Sequence, residues 1–329
     1  MILQKGWTVK LNPLGLTGLM VSELGFGTQA IGGNEHGNSY GSTSDSESIK
    51  AVHIALDRGC NFFDTADVYG YGHSEMILSK ALKLAGKLHD VVIATKGGCN
   101  FHHQPVALDF SPEYIVEAVE ASLRRLDREY IDLYQLHNPP LSVFESDLFP
   151  ALNRLKAQGK IRHVGISIHS VEEGLACIAS GKVETLQIVY NLLSQVDPDS
   201  SAEALLPHVR ASRIGLIARE PLANSFLAGT QRADTVYEPG DMRGEWSLEG
   251  RRARIALCET FRPLARTGFS LAQIALRFVL DEPDVSTTIV GVKTPAEAEE
   301  DFSAPDLPSF AELYERLAEP VGERTQVAG

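Results

Sequence analysis

Four residues of types that together can move a proton lie at widely separated points of the sequence: Asp64, Tyr69, Lys96 and His137. Asp64 sits in the run Asn61-Phe62-Phe63-Asp64-Thr65-Ala66-Asp67-Val68-Tyr69-Gly70, where an apolar stretch ends in a carboxylate and a Tyr follows five positions later. A carboxylate directly after Phe62-Phe63 is costly to bury unless a cation or hydrogen-bond donor meets it, and Lys96, at the end of the next apolar run, is the cation the sequence offers. A Tyr hydroxyl has a reference pKa of about 10, too weak an acid to protonate a developing alkoxide quickly near neutral pH. A cation within ~4–6 Å favours the phenolate and is expected to bring that value down. His137 can donate a hydrogen bond that positions a carbonyl oxygen. The set suits proton transfer to a carbonyl while hydride arrives from a cofactor, because a ketone accepts hydride only as its oxygen is neutralised.

Taken singly, each residue has a bland explanation. Tyr69-Gly70 is a common turn, Lys96 before Gly97-Gly98 a solvated strand end, and His137 before Asn138-Pro139-Pro140 a structural loop histidine. The functional reading needs a fold that brings them together. Apolar strand-like runs at 23–27, 60–64, 91–96, 131–137, 161–167, 184–190, 214–219 and 287–291 alternate with amphipathic helical patterns. Ser111-Pro112-Glu113 supplies an N-cap, a first-turn Pro and a first-turn acid ahead of Ile115, Val119, Leu123 and Leu126. Ser44 or Ser46 opens a helix closed by Gly59, and Leu148, Leu152 and Leu155 stripe another that ends at Gly159.

Eight such units without a linker predict one (β/α)8 TIM barrel across residues 1–329. A doubly wound sheet is the alternative, but Gly27-Thr28-Gln29-Ala30-Ile31-Gly32-Gly33 lacks the GxGxxG phosphate cradle. Active sites of barrels lie at the C-terminal ends of the strands, and those ends read Asp64, Lys96, His137, Ser167, Gln187 with Tyr190, Arg219, and Gly291 with Lys293. Two short extended pieces at about 7–26 suggest an N-terminal hairpin around Gly15-Leu16-Thr17-Gly18. A long loop runs from about 223 to 250, and a tail from about 303 to 329.

A net charge of −13 without a basic patch argues against nucleic-acid or anionic-membrane partners. No apolar run is long enough to span a bilayer, and the first residues lack a secretion signal. The four cysteines (Cys60, Cys99, Cys177, Cys258) have no metal or CxxC spacing and read as reduced thiols of a cytoplasmic protein. His102-His103 either lines the substrate pocket or is exposed, and no metal is assigned.

Leu24-Gly25-Phe26-Gly27-Thr28, the run from Asn61 to Gly70 with Ser74-Glu75, Ala94-Thr95-Lys96 and Asp132-Leu133-Tyr134-Gln135-Leu136-His137 resemble the aldo-keto reductases, in order and spacing, over residues 8 to 302. The resemblance implies a barrel closed at its bottom by the hairpin. It also implies a nicotinamide cofactor bound without a Rossmann fold, and Tyr69 as general acid in a tetrad with Asp64, Lys96 and His137. It places Gly27, Thr28, Ser167, Gln187, Arg219, Pro221, Leu222, Gly291, Lys293, Glu297, Glu300 and Asp301 on the cofactor.

Departures from the family pattern concern that second group. Ile168 stands where an Asn helps Ser167 and Gln187 hold the carboxamide. Arg219 replaces an aromatic, and its charge is expected to repel the oxidised pyridinium and favour the reduced cofactor. Lys293 supports NADP(H), whereas Glu297 stands in place of Arg or Gln and Asp301 in place of Asn, which leaves NAD(H) open. The expected activity is NADP(H)-preferring interconversion of a small carbonyl compound and its alcohol. A cofactor-holding regulatory subunit is the alternative. A lyase or isomerase using Lys96 as a Schiff base is disfavoured because Asp64 keeps the amine protonated. The loops at 28–44, 97–110 and 223–250 are expected to set the substrate, and the sequence leaves the oligomeric state open.

Overall fold

The computed structural model describes residues 9–33, 40–102, 105–196 and 202–318; His103, residues 7–8 of the expected hairpin, residues 34–39 of the expected substrate loop and residues 319–329 of the expected tail lie outside them. β1 (Leu11–Pro13) and β2 (Met20–Ser22) pair antiparallel. There follow β3 (Leu24–Gly27), β4 (Phe62–Asp64), β5 (Val92–Gly97), a small antiparallel pair of β6 (Cys99–Asn100) and β7 (Ala107–Leu108), then β8 (Ile131–His137), β9 (Ile161–Ser167), β10 (Thr185–Val189), β11 (Gly215–Arg219) and β12 (Thr287–Gly291). β3, β4, β5, β8, β9, β10, β11 and β12 pair in parallel in that order, and β12 returns to β3 to close the barrel. The eight expected strands are all present, with ends shifted by at most two residues. The hairpin is shorter than the expected 7–26: β2 stops at Ser22, and the residues after it belong to the barrel.

Helices α1 (Asp45–Asp57), α2 (His73–Leu84), α3 (Pro112–Leu126), α4 (Leu148–Ala157), α5 (Val171–Ser180) and α6 (Leu206–Ser212) lie between successive barrel strands. α7 (Leu248–Glu259) and α8 (Leu271–Leu280) precede β12, and α9 (Pro295–Asp301) and α10 (Phe310–Ala318) follow it. Local chemistry sets the boundaries. Ser111 Oγ accepts the Tyr114 N–H at 3.3 Å to start α3, and Asp127 ends it in a left-handed conformation. Reciprocal capping boxes start α5 (Ser170 and Glu173) and α8 (Ser270 and Gln273).

Apart from exposed Arg162 on β9 and Gly291 at the end of β12, the barrel strands are buried or half-buried on both faces, as expected of a parallel sheet covered by helices. Outside them, Leu78, Leu82, Ile115, Val119, Leu126 and Tyr134 join a continuous layer against the helices. Each fully buried aliphatic side chain there contributes roughly 1.5–3 kcal/mol. Inside, Leu14 and Val21 of the hairpin pack with Phe62, Val92, Leu133, Ile217 and Ile289, so the hairpin closes the barrel at its N-terminal end. All functional candidates are left to the opposite rim.

Two expectations change. The long loop ends at Ser247, the N-cap of α7, and is pinned by buried Phe226 and Leu227, with Phe226 stacked on Trp246 at 5.3 Å. The tail carries α10, whose Phe310, Leu313, Tyr314 and Leu317 recur at helical spacing, and its fully buried Leu313 packs in the same cluster and covers the loop's underside. Among the described residues no helix is long and apolar enough to cross a membrane, and no three His, Cys, Asp or Glu side chains form a metal-binding group.

Candidate active site

β4, β5 and β8 converge on the rim in a stagger: Asp64 is in register with Ala94, two residues before Lys96, and Lys96 with Gln135, two residues before His137. Asp64 and Lys96 meet as an ion pair with the Lys side chain fully buried. Lys96 Nζ also donates to the Thr65 carbonyl at 3.0 Å and to Tyr69 Oη at 3.4 Å. Its three N–H donors are thereby used. On the other side of the carboxylate, Asp64 Oδ2 accepts from Gln135 Nε2 at 2.9 Å and Gln187 Nε2 at 2.8 Å. The buried acid that the sequence left in search of a partner has three.

Tyr69 is presented by a tight left-handed arc. Gly70 has φ 56°, and a Cβ there would lie 2.3 Å from the Gly32 carbonyl oxygen, so only Gly fits. Tyr71 (φ 50°) and Gly72 (φ 95°) continue the arc into α2. The ring of His137 stands edge-on to that of Tyr69 at 5.9 Å. His137 Nδ1 is buried without a partner, which leaves Nε2 as the nitrogen available to the cavity.

The protonation states correct one expectation. Burial, followed by the Asp64 carboxylate, holds the Tyr69 hydroxyl well above its usual range. The lowering expected from Lys96 is outweighed by burial and the Asp64 carboxylate, and burial also lowers the pKa of Lys96 itself against that carboxylate's pull. Tyr69 therefore carries its proton at neutral pH. Burial and the neighbouring charges of Lys96 and Arg219 push His137 well below the usual histidine range, so its imidazole is neutral.

A cavity of 630 Å³ extends from this group to α9 and is lined by Gly27, Thr28, Asp64, Tyr69, His137, Ser167, Gln187, Arg219, Pro221, Leu222, Gly291, Lys293, Glu297, Glu300 and Asp301. Of the expected site residues only Lys96 is missing from its wall, since it lies behind Asp64 and Tyr69. Ser167 is level with His137 and Gln187 through the β8, β9 and β10 register. Gln187 spends its amide N–H groups on Asp64 and Gln135, so its carbonyl oxygen is the group left for a ligand. Ile168 points into the core, and its carbonyl accepts from Arg219 Nη2 at 3.3 Å.

Arg219 is ion-paired with Glu220, and its expected bare charge at the rim is thus compensated. At the α9 end, Glu297 Oε2 accepts the backbone N–H groups of Lys293 (2.7 Å) and Thr294 (3.3 Å), completing a capping box. Lys293 is crowded by Arg243, Asp241, Glu297 and Glu238, with burial lowering its pKa. Arg243 in turn holds Asp241 through Nε at 3.0 Å and Nη2 at 2.7 Å. Asp301 is buried, and that burial with Glu300 and Glu297 nearby pushes its carboxyl well up.

Sequence reasoning missed Gln135, although its place two residues before His137 puts both on the inward face of β8. It also missed Tyr40, Glu220, Asn224, Glu238, Asp241 and Arg243, which come from loops that carry no periodic signal. His102 is exposed, its ring lies tilted against that of Phe101 at 4.8 Å, and it is not part of the cavity wall.

The profile of the Aldo/keto reductase family matches residues 23–319. Aldo-keto reductase YhdN of Bacillus subtilis is 32% identical over 288 residues, covering 86% of this chain and 85% of its own. An NADH-specific methylglyoxal reductase of Escherichia coli is 31% identical over 313 residues, 90% and 93% of the two chains. The holo form of an aldo-keto reductase from Bacillus halodurans superposes with a TM-score of 0.74 at 27% identity, covering 96% of this chain and 99% of that one.

Proposed function

Because the chain belongs to the aldo/keto reductase family, whose reaction is nicotinamide-dependent carbonyl reduction, we propose that this cavity reduces a small aldehyde or ketone to its alcohol, or runs the reverse, with Tyr69 as the proton donor. The observation that carries the reading is Lys96 Nζ bridging Asp64 and Tyr69 Oη beside a neutral His137. Ser167 and Gln187 at one end and Lys293 at the other would hold a nicotinamide cofactor, which would supply the hydride.

A carbonyl oxygen placed between Tyr69 and His137 accepts hydrogen bonds from Tyr69 Oη–H and from the imidazole N–H on Nε2. The proton then moves from Tyr69 Oη to that oxygen. Lys96 Nζ, 3.4 Å away, stabilises the charge left on the phenolate. Asp64 keeps the lysine in place, and Gln135 and Gln187 keep Asp64 in place. Positioned general-acid catalysis of this kind is worth roughly 10²–10⁴-fold in rate. The same bonding opposes the Schiff-base chemistry considered above, since every N–H of Lys96 already has an acceptor.

For the cofactor, the expectation from Lys293 was NADP(H), with NAD(H) open. The geometry favours NAD(H): the two backbone N–H groups that would cradle an extra phosphate are held by Glu297, and Lys293 is surrounded by three carboxylates. The name of the Escherichia coli relative, an NADH-specific reductase of methylglyoxal, points the same way and to a small carbonyl substrate. The test is fluorescence titration with NADH and NADPH, followed by a panel of aldehydes, ketones and alcohols. We expect both cofactors to bind, NADH more tightly, and turnover of at least one small carbonyl compound. Binding of neither cofactor would overturn the reading.

A further inference from the structure

We infer that Glu220 controls which redox form of the cofactor the cavity retains, by neutralising Arg219 at the face where the charge of an oxidised nicotinamide would sit. The inference rests on the proposed function, which holds the nicotinamide at Ser167 and Gln187 in the cavity whose wall Arg219 shares.

Arg219 ends β11, and its guanidinium is held on three sides: by the Glu220 carboxylate, by the Ile168 carbonyl at 3.3 Å and by His169 Nδ1 at 3.2 Å. Glu220 is held as firmly. Its other carboxylate oxygen accepts from Asn224 Nδ2 at 2.7 Å, and Asn224 Oδ1 accepts from Tyr40 Oη at 2.7 Å. Its carbonyl accepts from Asn191 Nδ2 at 3.1 Å and from the Ala223 N–H at 2.9 Å. This wiring depends on left-handed backbone at residues with side chains: Glu220 (φ 56°), Ala223 (φ 48°), Asn224 (φ 57°) and Ser225 (φ 73°). Such conformations persist only where the surroundings over-determine them, and here they fold the Glu220 carboxylate back onto its own neighbour.

The charge logic is direct. An oxidised nicotinamide carries one positive charge and a reduced one carries none. A lone guanidinium in the cavity wall repels the first and ignores the second, whereas a guanidinium cancelled by an adjacent carboxylate discriminates little. Arg219 and Glu220 both line the cavity. They also act in opposite directions on the Tyr69 hydroxyl, so both charges are felt at the rim.

The experiment measures the dissociation constants of NAD+ and NADH, by calorimetry and fluorescence, for the wild-type chain and three variants. Glu220→Gln should raise the NAD+ to NADH ratio of dissociation constants by roughly tenfold, by weakening NAD+ alone. Arg219→Met should lower it, because the exposed carboxylate attracts the pyridinium. The double variant should return close to the wild-type ratio. A ratio that stays within about twofold of wild type in both single variants, or a parallel loss of both forms, overturns the inference while leaving the proposed function standing. A wild-type chain that binds neither form removes both.

Discussion

At the tetrad end of the cavity, each charged group finds its partner on the next strand or in the turn that follows it: Lys96 on β5 pairs with Asp64 on β4, and Gln135 and Gln187 on β8 and β10 close the ring around that carboxylate. At the α9 end, Lys293, Arg243, Glu238, Asp241 and Glu297 converge from the β12 turn, from a distant loop earlier in the chain and from a helix start. Barrel register dictates the first arrangement, and loop conformation the second. The tetrad end is therefore dry and fixed, with Asp64 and Lys96 almost wholly buried. The α9 end is charged, partly exposed and open to change by single substitutions.

That contrast sets the order of expected effects. Lys96→Met should reduce turnover by about a thousandfold, since it removes the cation facing the developing phenolate and leaves Asp64 buried with only its two amide donors. Cofactor affinity measured by fluorescence should change little; a parallel loss of binding would show that the two ends are not separable. Glu297→Arg should tighten NADPH relative to NADH by roughly tenfold, because it frees the α9 cap and places a cation where a carboxylate now stands. Unchanged relative affinities would remove Glu297 from the cofactor account.

The smallest effect concerns pH. The folded pKa of His137 lies well below the histidine reference of 6.5 and that of Tyr69 well above the tyrosine reference of 10. His137 and Tyr69 keep their working protons between those references, and burial lowers the pKa of Lys96 from its ordinary value, so the maximal reduction rate should be flat from about pH 6.5 upward until Lys96 gives up its charge. Turnover falls as His137 gains a proton below that window or as Lys96 or Tyr69 loses one above it. A titration of the rate near pH 7 or 8 would place one of these groups in a different environment.

Much of the tetrad end was legible in the sequence. The apolar strand runs alternating with helical patterns, and the rule that barrel sites lie at strand C-terminal ends, select Asp64, Lys96 and His137, and Gly70 marks the arc that presents Tyr69. The pKa of Tyr69 was not legible, because it depends on how completely the fold buries the hydroxyl and on Asp64 facing it. Nor were the compensations at Arg219 and Lys293. Glu220 is the residue next to Arg219, but only its left-handed backbone turns the carboxylate back. Glu238 and Asp241 reach Lys293 through a loop whose path no pattern predicts. Glu297 was recognised as a carboxylate near a phosphate position, while its role as the cap of α9 shows only in the hydrogen bonds to Lys293 and Thr294.

The account turns on Tyr69 giving up its proton to a carbonyl oxygen. Its most direct test is a single-turnover experiment in which wild type and Tyr69→Phe, each loaded with NADH, are mixed with an aldehyde that the wild type reduces, and oxidation of the bound cofactor is followed by its fluorescence. The predicted result is rapid oxidation in the wild type and a rate at least about a hundredfold slower in Tyr69→Phe, with NADH bound equally well in both. Oxidation at the wild-type rate in Tyr69→Phe would contradict it.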